Sequence, residues 1–204
     1  MSTYLGIDLG TSSSKVVIMD ENQAILASAT HHMDVSRPHP GWSEQNPADW
    51  ISATTSAIDE LKAQHGALIA QVRGIGLSGH MHGATLLNRR DEVLRPCILW
   101  NDTRSHKEAE LDAQPMFRER TGNIVFPGFT APKLLWVARN EPDVFKDLRW
   151  ALLPKDYLRL WLTGEHASEM SDAAGTAWLH TGERRWDADL LAATGMTVEQ
   201  MPNL

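Results

Sequence analysis

The stretch GIDLGTSSSK, residues 6–15, places one carboxylate beside a turn rich in glycine and hydroxyl groups. Asp8 ends an apolar, strand-like run, and Lys15 begins the next run after the turn. Alternation along the first strand puts Asp8 on the face of Tyr4 and Gly6, opposite an apolar face. A carboxylate there needs a partner such as a metal ion or a ligand, and an ammonium can add a point charge to a terminal phosphate.

The turn itself has the composition of a phosphate-binding hairpin. Gly10 lets the backbone approach a bulky group closely, and Thr11, Ser12 and Ser13 add hydroxyls to exposed N–H groups. The turn is not a Walker A loop, because it lacks the G-x-x-x-x-G-K-[ST] spacing and joins two strands. A second interpretation stays open, in which a Ser-rich hairpin turn satisfies its own backbone.

The totals describe an ordinary globular chain. Its 204 residues are 42% hydrophobic and 22% charged, which fits one large domain or two small ones. The net charge of −7, without a basic run, argues against nucleic acid and anionic membranes as partners. No signal peptide or stretch of about 18 apolar residues occurs, so neither export nor a membrane span is expected. The single cysteine, Cys97, suits a reducing cytoplasm.

Several elements must position this turn. Runs 4–9, 15–19 and 24–31 predict an antiparallel three-stranded meander, and the proline-rich stretch 36–47 predicts a loop. Asn46 as a cap and Pro47 in the first turn predict a helix that begins there. Further strands are predicted at 72–79, 84–88 and 93–100.

Helices are predicted at 103–113, at 131–140 after a Thr130 cap, at 155–162 and at 187–193. Trp136, Trp150 and Trp161 are expected to pack helices. The order of elements predicts an α/β fold with a mixed sheet and flanking helices.

Six segments carry a resemblance to a known family. They are YLGIDLGTSSSKVVIMD, RPHPGWSEQNPADW, GLSGHMHGATLL, RPCILWNDTR, TGNIVFPGFTAPKLLWV and LLPKDYLRLWLTGEHASEMSDAAGT. Together they resemble the N-terminal half of the FGGY carbohydrate kinases, and residues 128–140 fit that family's signature spacing. The resemblance implies a ribonuclease H-like, actin-like ATPase fold of two domains. Residues 1–204 would be the first domain, with sugar and ATP meeting in the cleft between the domains.

For the nucleotide, the resemblance implies Mg-ATP. Asp8 would hold the Mg²⁺, and the turn residues 10–13 would contact the β- and γ-phosphates, with Lys15 near the transferred group. For the sugar, it implies contacts from Met81 and His82. Many relatives carry glutamine at the position of His80, so this chain departs from the family there.

Trp100 and Asp102 are further candidates for the sugar pocket, although Asp102 equally suits a helix cap. His80 and His82 could instead ligate a metal from one strand face, but no acid or cysteine at ligand spacing supports that alternative.

The resemblance implies phosphorylation of D-xylulose by ATP, with other pentuloses, hexuloses, gluconate or glycerol as alternative substrates. The general base would be an aspartate in the second domain, so no catalytic residue is assigned here, and this chain alone is expected to be inactive. We expect a truncated product or an engineered fragment, whose partner is its own C-terminal domain. The face that would meet the second domain is expected to be exposed in this chain, so self-association through it, as a homo-oligomer, is an alternative. A non-catalytic sugar- or nucleotide-binding module is the alternative of another class.

Overall fold

The structure, a computed structural model, describes residues 2–204, which divide into two compact units. The first unit comprises the residues up to Val35 together with Ala48–His80. The second comprises Ser36–Pro47 together with Met81–Leu204. None of the helices in residues 2–204 is long and apolar enough to cross a membrane.

Groups of strands and groups of helices follow one another along the chain. The strands are β1 (Thr3–Leu9), β2 (Ser13–Asp20), β3 (Ile25–His32), β4 (Glu44–Gln45), β5 (Val72–Gly79), β6 (Thr85–Leu87), β7 (Cys97–Ile98), β8 (Trp150–Leu152), β9 (Leu179–His180) and β10 (Arg185–Trp186). The helices are α1 (Pro47–Ile69), α2 (Pro115–Thr121), α3 (Thr130–Asn140), α4 (Pro142–Asp147), α5 (Pro154–Thr163), α6 (Met170–Ala173) and α7 (Ala188–Ala192).

The first unit is built on a mixed four-stranded sheet with the order β3-β2-β1-β5. β1, β2 and β3 pair antiparallel, and β5 pairs parallel with β1. This arrangement confirms the predicted meander and the mixed sheet. Leu5, Ile7 and Leu9 are buried, whereas Tyr4 and Asp8 on the other face are exposed, as the alternation predicts.

Helix α1 covers the apolar face of this sheet. Trp50, Ala57 and Leu61 recur at helical spacing and are almost fully buried. The Thr54 hydroxyl shares a 2.8 Å hydrogen bond with the Ser14 hydroxyl of β2, which fastens the helix to the sheet. The predicted start at Pro47 is confirmed.

The second unit contains the two-stranded pairs β4–β7, β6–β8 and β9–β10, all antiparallel. Helices pack around them on a core that includes Phe117, Leu134 and Trp178. Short helices begin at prolines in three places, α2, α4 and α5, because proline lacks only an N–H that the first turn does not use.

Several sequence predictions for this unit are wrong in detail. The predicted helix 103–113 consists of turns followed by a 3₁₀ helix, Glu108–Ala113. Strand β4 lies inside the predicted loop, and α2 and α4 were not predicted. Thr130 does not cap α3, because its hydroxyl donates to the carbonyl of His82. Trp161 is 44% exposed and so is not fully packed between helices.

Candidate functional site

The exposed face of the first unit's sheet forms a groove of about 570 Å³. Asp8 and Lys15 lie opposite each other in the β1–β2 register and both line this groove. The Asp8 Oδ1 accepts a 2.6 Å hydrogen bond from the Ser78 hydroxyl of β5. The sequence did not single out Ser78, whose contact with Asp8 depends on the parallel pairing of β1 and β5.

The turn between β1 and β2 is braced by two backbone hydrogen bonds, one within the turn and one from the residue after β3. The Gly10 N–H donates to the Ser13 carbonyl at 2.9 Å, and the Met33 N–H donates to the Ser12 carbonyl at 2.9 Å. The Gly10 N–H is therefore not one of the exposed donors expected of this turn. A β-carbon at residue 10 would lie 3.2 Å from the Ser13 carbonyl oxygen, so glycine fits this tight turn best.

A magnesium ion fits Asp8 on chemical grounds. Within residues 2–204, no three His, Cys, Asp or Glu side chains converge on a common metal position. Mg²⁺ keeps several waters and is commonly held by one or two carboxylates together with substrate phosphates. A single exposed carboxylate beside a Gly/Ser turn is therefore a suitable protein ligand for the Mg²⁺ of a nucleotide.

The three consecutive candidates of the GHMHG segment have different surroundings. His80 is buried in the first unit, where its ring makes an edge contact with Trp50 at 5.4 Å between centroids. The backbone N–H of His80 donates to the Leu9 carbonyl at 2.8 Å. Met81 belongs to the second unit, as does His82, and is 52% exposed.

Residues 81–83 form a tight turn. The Gly83 N–H donates to the Met81 carbonyl at 2.8 Å, and His82 adopts a left-handed backbone with φ 64°. A β-carbon on Gly83 would lie 2.6 Å from Pro154 and 3.0 Å from the sulfur of Cys97. Glycine is therefore required at residue 83 by the lack of space.

The His82 side chain is held in one orientation. Its Nδ1 lies 2.7 Å from the carbonyl oxygen of Gly175, which can only accept, so Nδ1 carries the proton. The ring also packs against Phe129 at 4.7 Å between centroids. Burial lowers the pKa of His82 to about 4, because the effect of desolvation is larger than that of the hydrogen bond to Gly175, which raises the pKa. At neutral pH the ring is uncharged, and its Nε2 is an acceptor for a hydroxyl group.

Trp100 and Asp102 separate into an exposed and a buried residue. Trp100 is 44% exposed, as a sugar-contacting ring would be. The carboxylate of Asp102 is buried and accepts from the Ser43 N–H at 2.6 Å and from the guanidinium and N–H of Arg104 at 2.7 to 2.9 Å.

Arg104 joins this carboxylate to a larger ionic network. Its guanidinium contacts the Glu44 carboxylate at 2.7 Å and lies 3.6 Å above the ring of Trp42. Asp102 therefore holds residues 36–47 against the rest of the second unit. It does not cap a regular helix, since turns follow it.

Four residues near His82 were not among the sequence candidates, namely Phe126, Phe129, Thr130 and Lys133. The Thr130 hydroxyl and the Lys133 ammonium both donate to the His82 carbonyl at 3.1 Å. Gly175 lies against the His82 ring, and Phe126, 42% exposed, makes an edge contact with it at 6.1 Å. The GFTAPK stretch fits the family's signature spacing, but nothing in it indicates a contact with residue 82.

Comparison with known proteins gives a consistent result. The model of the FGGY family of carbohydrate kinases, N-terminal domain, matches residues 3–204. The "Xylulose kinase" of Escherichia coli (strain K12) is 52% identical over 98% of this chain and 42% of its own length. That of Bacillus subtilis (strain 168) is 39% identical over 100% of this chain and 42% of its own length.

Solved structures agree. One described as a "xyloylose kinase from Brucella ovis" has a TM-score of 0.98 and 65% identity over 99% of this chain and 43% of its own. Gluconate kinase from Lactobacillus acidophilus has a TM-score of 0.92 and 26% identity over 99% of this chain and 41% of its own. These matches confirm the predicted α/β, actin-like ATPase class of fold.

The chain spans about 42% of the length of the curated relatives it matches. The family model, in contrast, covers nearly every residue that the structure describes. The chain belongs to the FGGY family of carbohydrate kinases, of which it carries the N-terminal domain.

Proposed function

We propose that the protein containing this chain is an ATP-dependent kinase that converts D-xylulose to D-xylulose 5-phosphate. In this reaction the oxygen of a sugar hydroxyl forms a bond to the γ-phosphorus of ATP, and the hydroxyl proton goes to a base. The bond between the γ-phosphorus and the β,γ-bridging oxygen breaks, and ADP leaves with that oxygen. The observation that carries the proposal is the turn 81–83, whose neutral His82 acts as a hydroxyl acceptor. It occurs in a chain that is 52% identical to a xylulose kinase.

The sugar contacts proposed for this chain follow from chemistry and, for Met81 and Trp100, from exposure. The Nε2 of His82 accepts a sugar hydroxyl, and the exposed thioether of Met81 lies against a C–H face. Trp100 offers an exposed indole face for the same purpose. His80 and Asp102 act indirectly, because the His80 ring packs against Trp50 and the Asp102 carboxylate accepts from Ser43 and Arg104.

The nucleotide contacts are proposed for the hairpin of the first unit. Asp8 would hold Mg²⁺ of Mg-ATP, which supplies charge stabilisation to the transferred phosphoryl group when bound. Gly10 allows close approach of the phosphates, and Thr11, Ser12 and Ser13 offer hydroxyl donors. Lys15 adds a positive charge on the same face as Asp8.

The remaining parts of the proposal concern the whole protein. Residues 1–204 form one domain on the sugar and phosphate side of a cleft, and a C-terminal domain supplies the catalytic base. We place the protein in the cytoplasm, a reducing compartment that suits the single thiol of this chain, Cys97, which is buried.

The test is steady-state phosphorylation by the complete protein with Mg-ATP and a panel of D-xylulose, gluconate and glycerol. We expect D-xylulose to have the highest kcat/KM. Gluconate is the informative competitor, because the gluconate kinase fold matches this chain as well as more distant xylulose kinases do, with TM-scores of 0.92. Activity on gluconate or glycerol without activity on D-xylulose would contradict the assignment.

A further inference from the structure

We infer that Lys133, together with Thr130, is a positioning residue that holds His82 in its sugar-binding orientation. This inference rests on the proposed role of His82. It assigns a purpose to a buried lysine that the proposed chemistry does not otherwise use.

The geometry around Lys133 is that of a bound ammonium ion. Its side chain is fully buried, and its Nζ donates to the carbonyl oxygens of His82 at 3.1 Å, Phe129 at 3.3 Å and Gly128. An ammonium group has three N–H donors, and each has an acceptor here. The Thr130 hydroxyl donates to the same His82 carbonyl at 3.1 Å.

Two donors from the first turn of α3 therefore meet on one peptide oxygen. That peptide follows a left-handed residue, because His82 has φ 64°. A residue with a β-carbon disfavours this conformation and keeps it only where its surroundings impose it. The two hydrogen bonds fix the peptide plane after His82, and the ring then meets the carbonyl of Gly175.

The residue type supports a role beyond packing. A methionine would fill nearly the same volume without the cost of burying a charge. Lysine makes three hydrogen bonds where methionine would make only apolar contacts. One of these hydrogen bonds ends on the backbone carbonyl of His82, the residue proposed to bind the sugar. Lys133 and Thr130 both reach the His82 carbonyl, so we assign them an action through His82.

The experiment compares Thr130→Val, Thr130→Ser and Lys133→Met in the complete protein. The control is Thr121→Val, since Thr121 is also buried and also donates to a carbonyl, that of Phe117, but in α2. Two readouts are taken. The first is steady-state kinetics, which gives kcat and the KM values for D-xylulose and for ATP. The second is the ¹⁵N NMR spectrum of histidine-labelled protein, which reports which ring nitrogen is protonated.

Loss of one hydrogen bond predicts a rise of about fivefold in the KM for D-xylulose for Thr130→Val. We expect an unchanged KM for ATP, kcat close to wild type, and recovery in Thr130→Ser. Lys133→Met should raise the KM for D-xylulose further. In both defective variants the His82 signal, identified by its absence in His82→Gln, should lose the pure Nδ1–H form.

The inference is overturned if Thr130→Val and Lys133→Met keep the wild-type KM and ring signal, or if Thr121→Val changes them equally. Should Lys133→Met fail to fold, the comparison of Thr130→Val with Thr121→Val decides the question alone. If the wild-type protein does not phosphorylate D-xylulose, the proposed function is wrong, and the ring signal still shows whether α3 positions His82.

Discussion

The imidazole ring of His82 lies directly against the backbone of Gly175. Nδ1 is 2.7 Å from the Gly175 carbonyl oxygen, and a β-carbon added at residue 175 would lie 2.5 Å from both Nδ1 and Cε1 of the ring. The SDAAGT segment therefore supports the GHMHG segment, although the two are far apart in sequence.

Gly175→Ala is expected to displace the His82 ring, because the added methyl group and the ring cannot occupy the same space. Misplacement of a binding group by about 1 Å can cost up to about a hundredfold in rate, so we expect kcat/KM for D-xylulose to fall at least tenfold. The KM for ATP should stay near its original value. Gly66→Ala is the matched control, since a β-carbon there meets nothing within 4 Å.

The buried His82 also predicts a dependence of stability on pH. Its pKa falls from 6.5 to about 4 in the folded protein, so the unfolded chain takes up the proton first as the pH drops. The stability contributed by the neutral ring is complete above pH 6.5 and is lost as the pH falls towards 4. The loss is about 2 kcal/mol after allowance for partial solvent access.

Asp172 acts in the opposite direction, since burial raises its pKa from 3.8 to about 6 and its protonation favours the folded state. We therefore compare wild type with His82→Gln by urea denaturation at pH 7, 5.5 and 4, because both contain Asp172. The free energy of unfolding of wild type relative to His82→Gln should decrease from pH 7 to pH 4. A constant difference would show that the His82 ring is solvated.

Asp8→Asn should impair phosphoryl transfer without affecting sugar binding. The amide keeps the size of the side chain and can still accept from Ser78, but it loses the charge that attracts Mg²⁺. We expect kcat to fall by about a hundredfold or more, in line with the loss of one group that stabilises the transition state. Binding of D-xylulose, measured by calorimetry, should be unchanged.

Asp59→Asn, on the exposed side of α1, serves as the control for this loss of one charge. Equal kcat values for Asp8→Asn and wild type would exclude Asp8 as the metal ligand.

Asp102→Asn should primarily reduce stability. The carboxylate accepts the Ser43 N–H and the Arg104 guanidinium, so the amide would place an N–H against one of these donors. Breaking a buried ion pair costs about 3 to 5 kcal/mol, which should appear as a lower free energy of unfolding in urea.

Trp100→Ala should instead raise the KM for D-xylulose and leave stability nearly unchanged, because Trp100 is exposed. The reverse pattern would place Asp102 in the sugar pocket.

Local patterns were sufficient to predict the meander and the start of α1 in the first unit. The alternation of apolar residues in β1 predicts which face of the sheet carries Asp8. The Asn-Pro pair, followed by apolar residues at helical spacing, predicts α1. Each of these signals lies within one element, so propensity and periodicity describe it fully.

The network around Asp102 could not be predicted in the same way. Its partner Ser43 is 59 positions away, and the aromatic ring over Arg104 comes from Trp42. For His82, the sequence indicates a sugar contact only through the family resemblance, whereas its left-handed backbone and neutral ring depend on α3 and Gly175. Such properties arise from tertiary contacts, which no local pattern records.

The assignment of residues 36–47 to the second unit has a consequence for the order of events during synthesis on the ribosome. β1, β2 and β3 can pair as soon as each has emerged, because their partners are neighbours in the chain. Glu44 and Gln45, in contrast, pair with Ile98 and Cys97. The nascent segment that carries Trp42 therefore lacks its long-range partners Cys97, Ile98, Asp102 and Arg104 until the polypeptide has grown past residue 104, and Trp42 meets Trp136 later still. A chaperone has access to the segment during this interval.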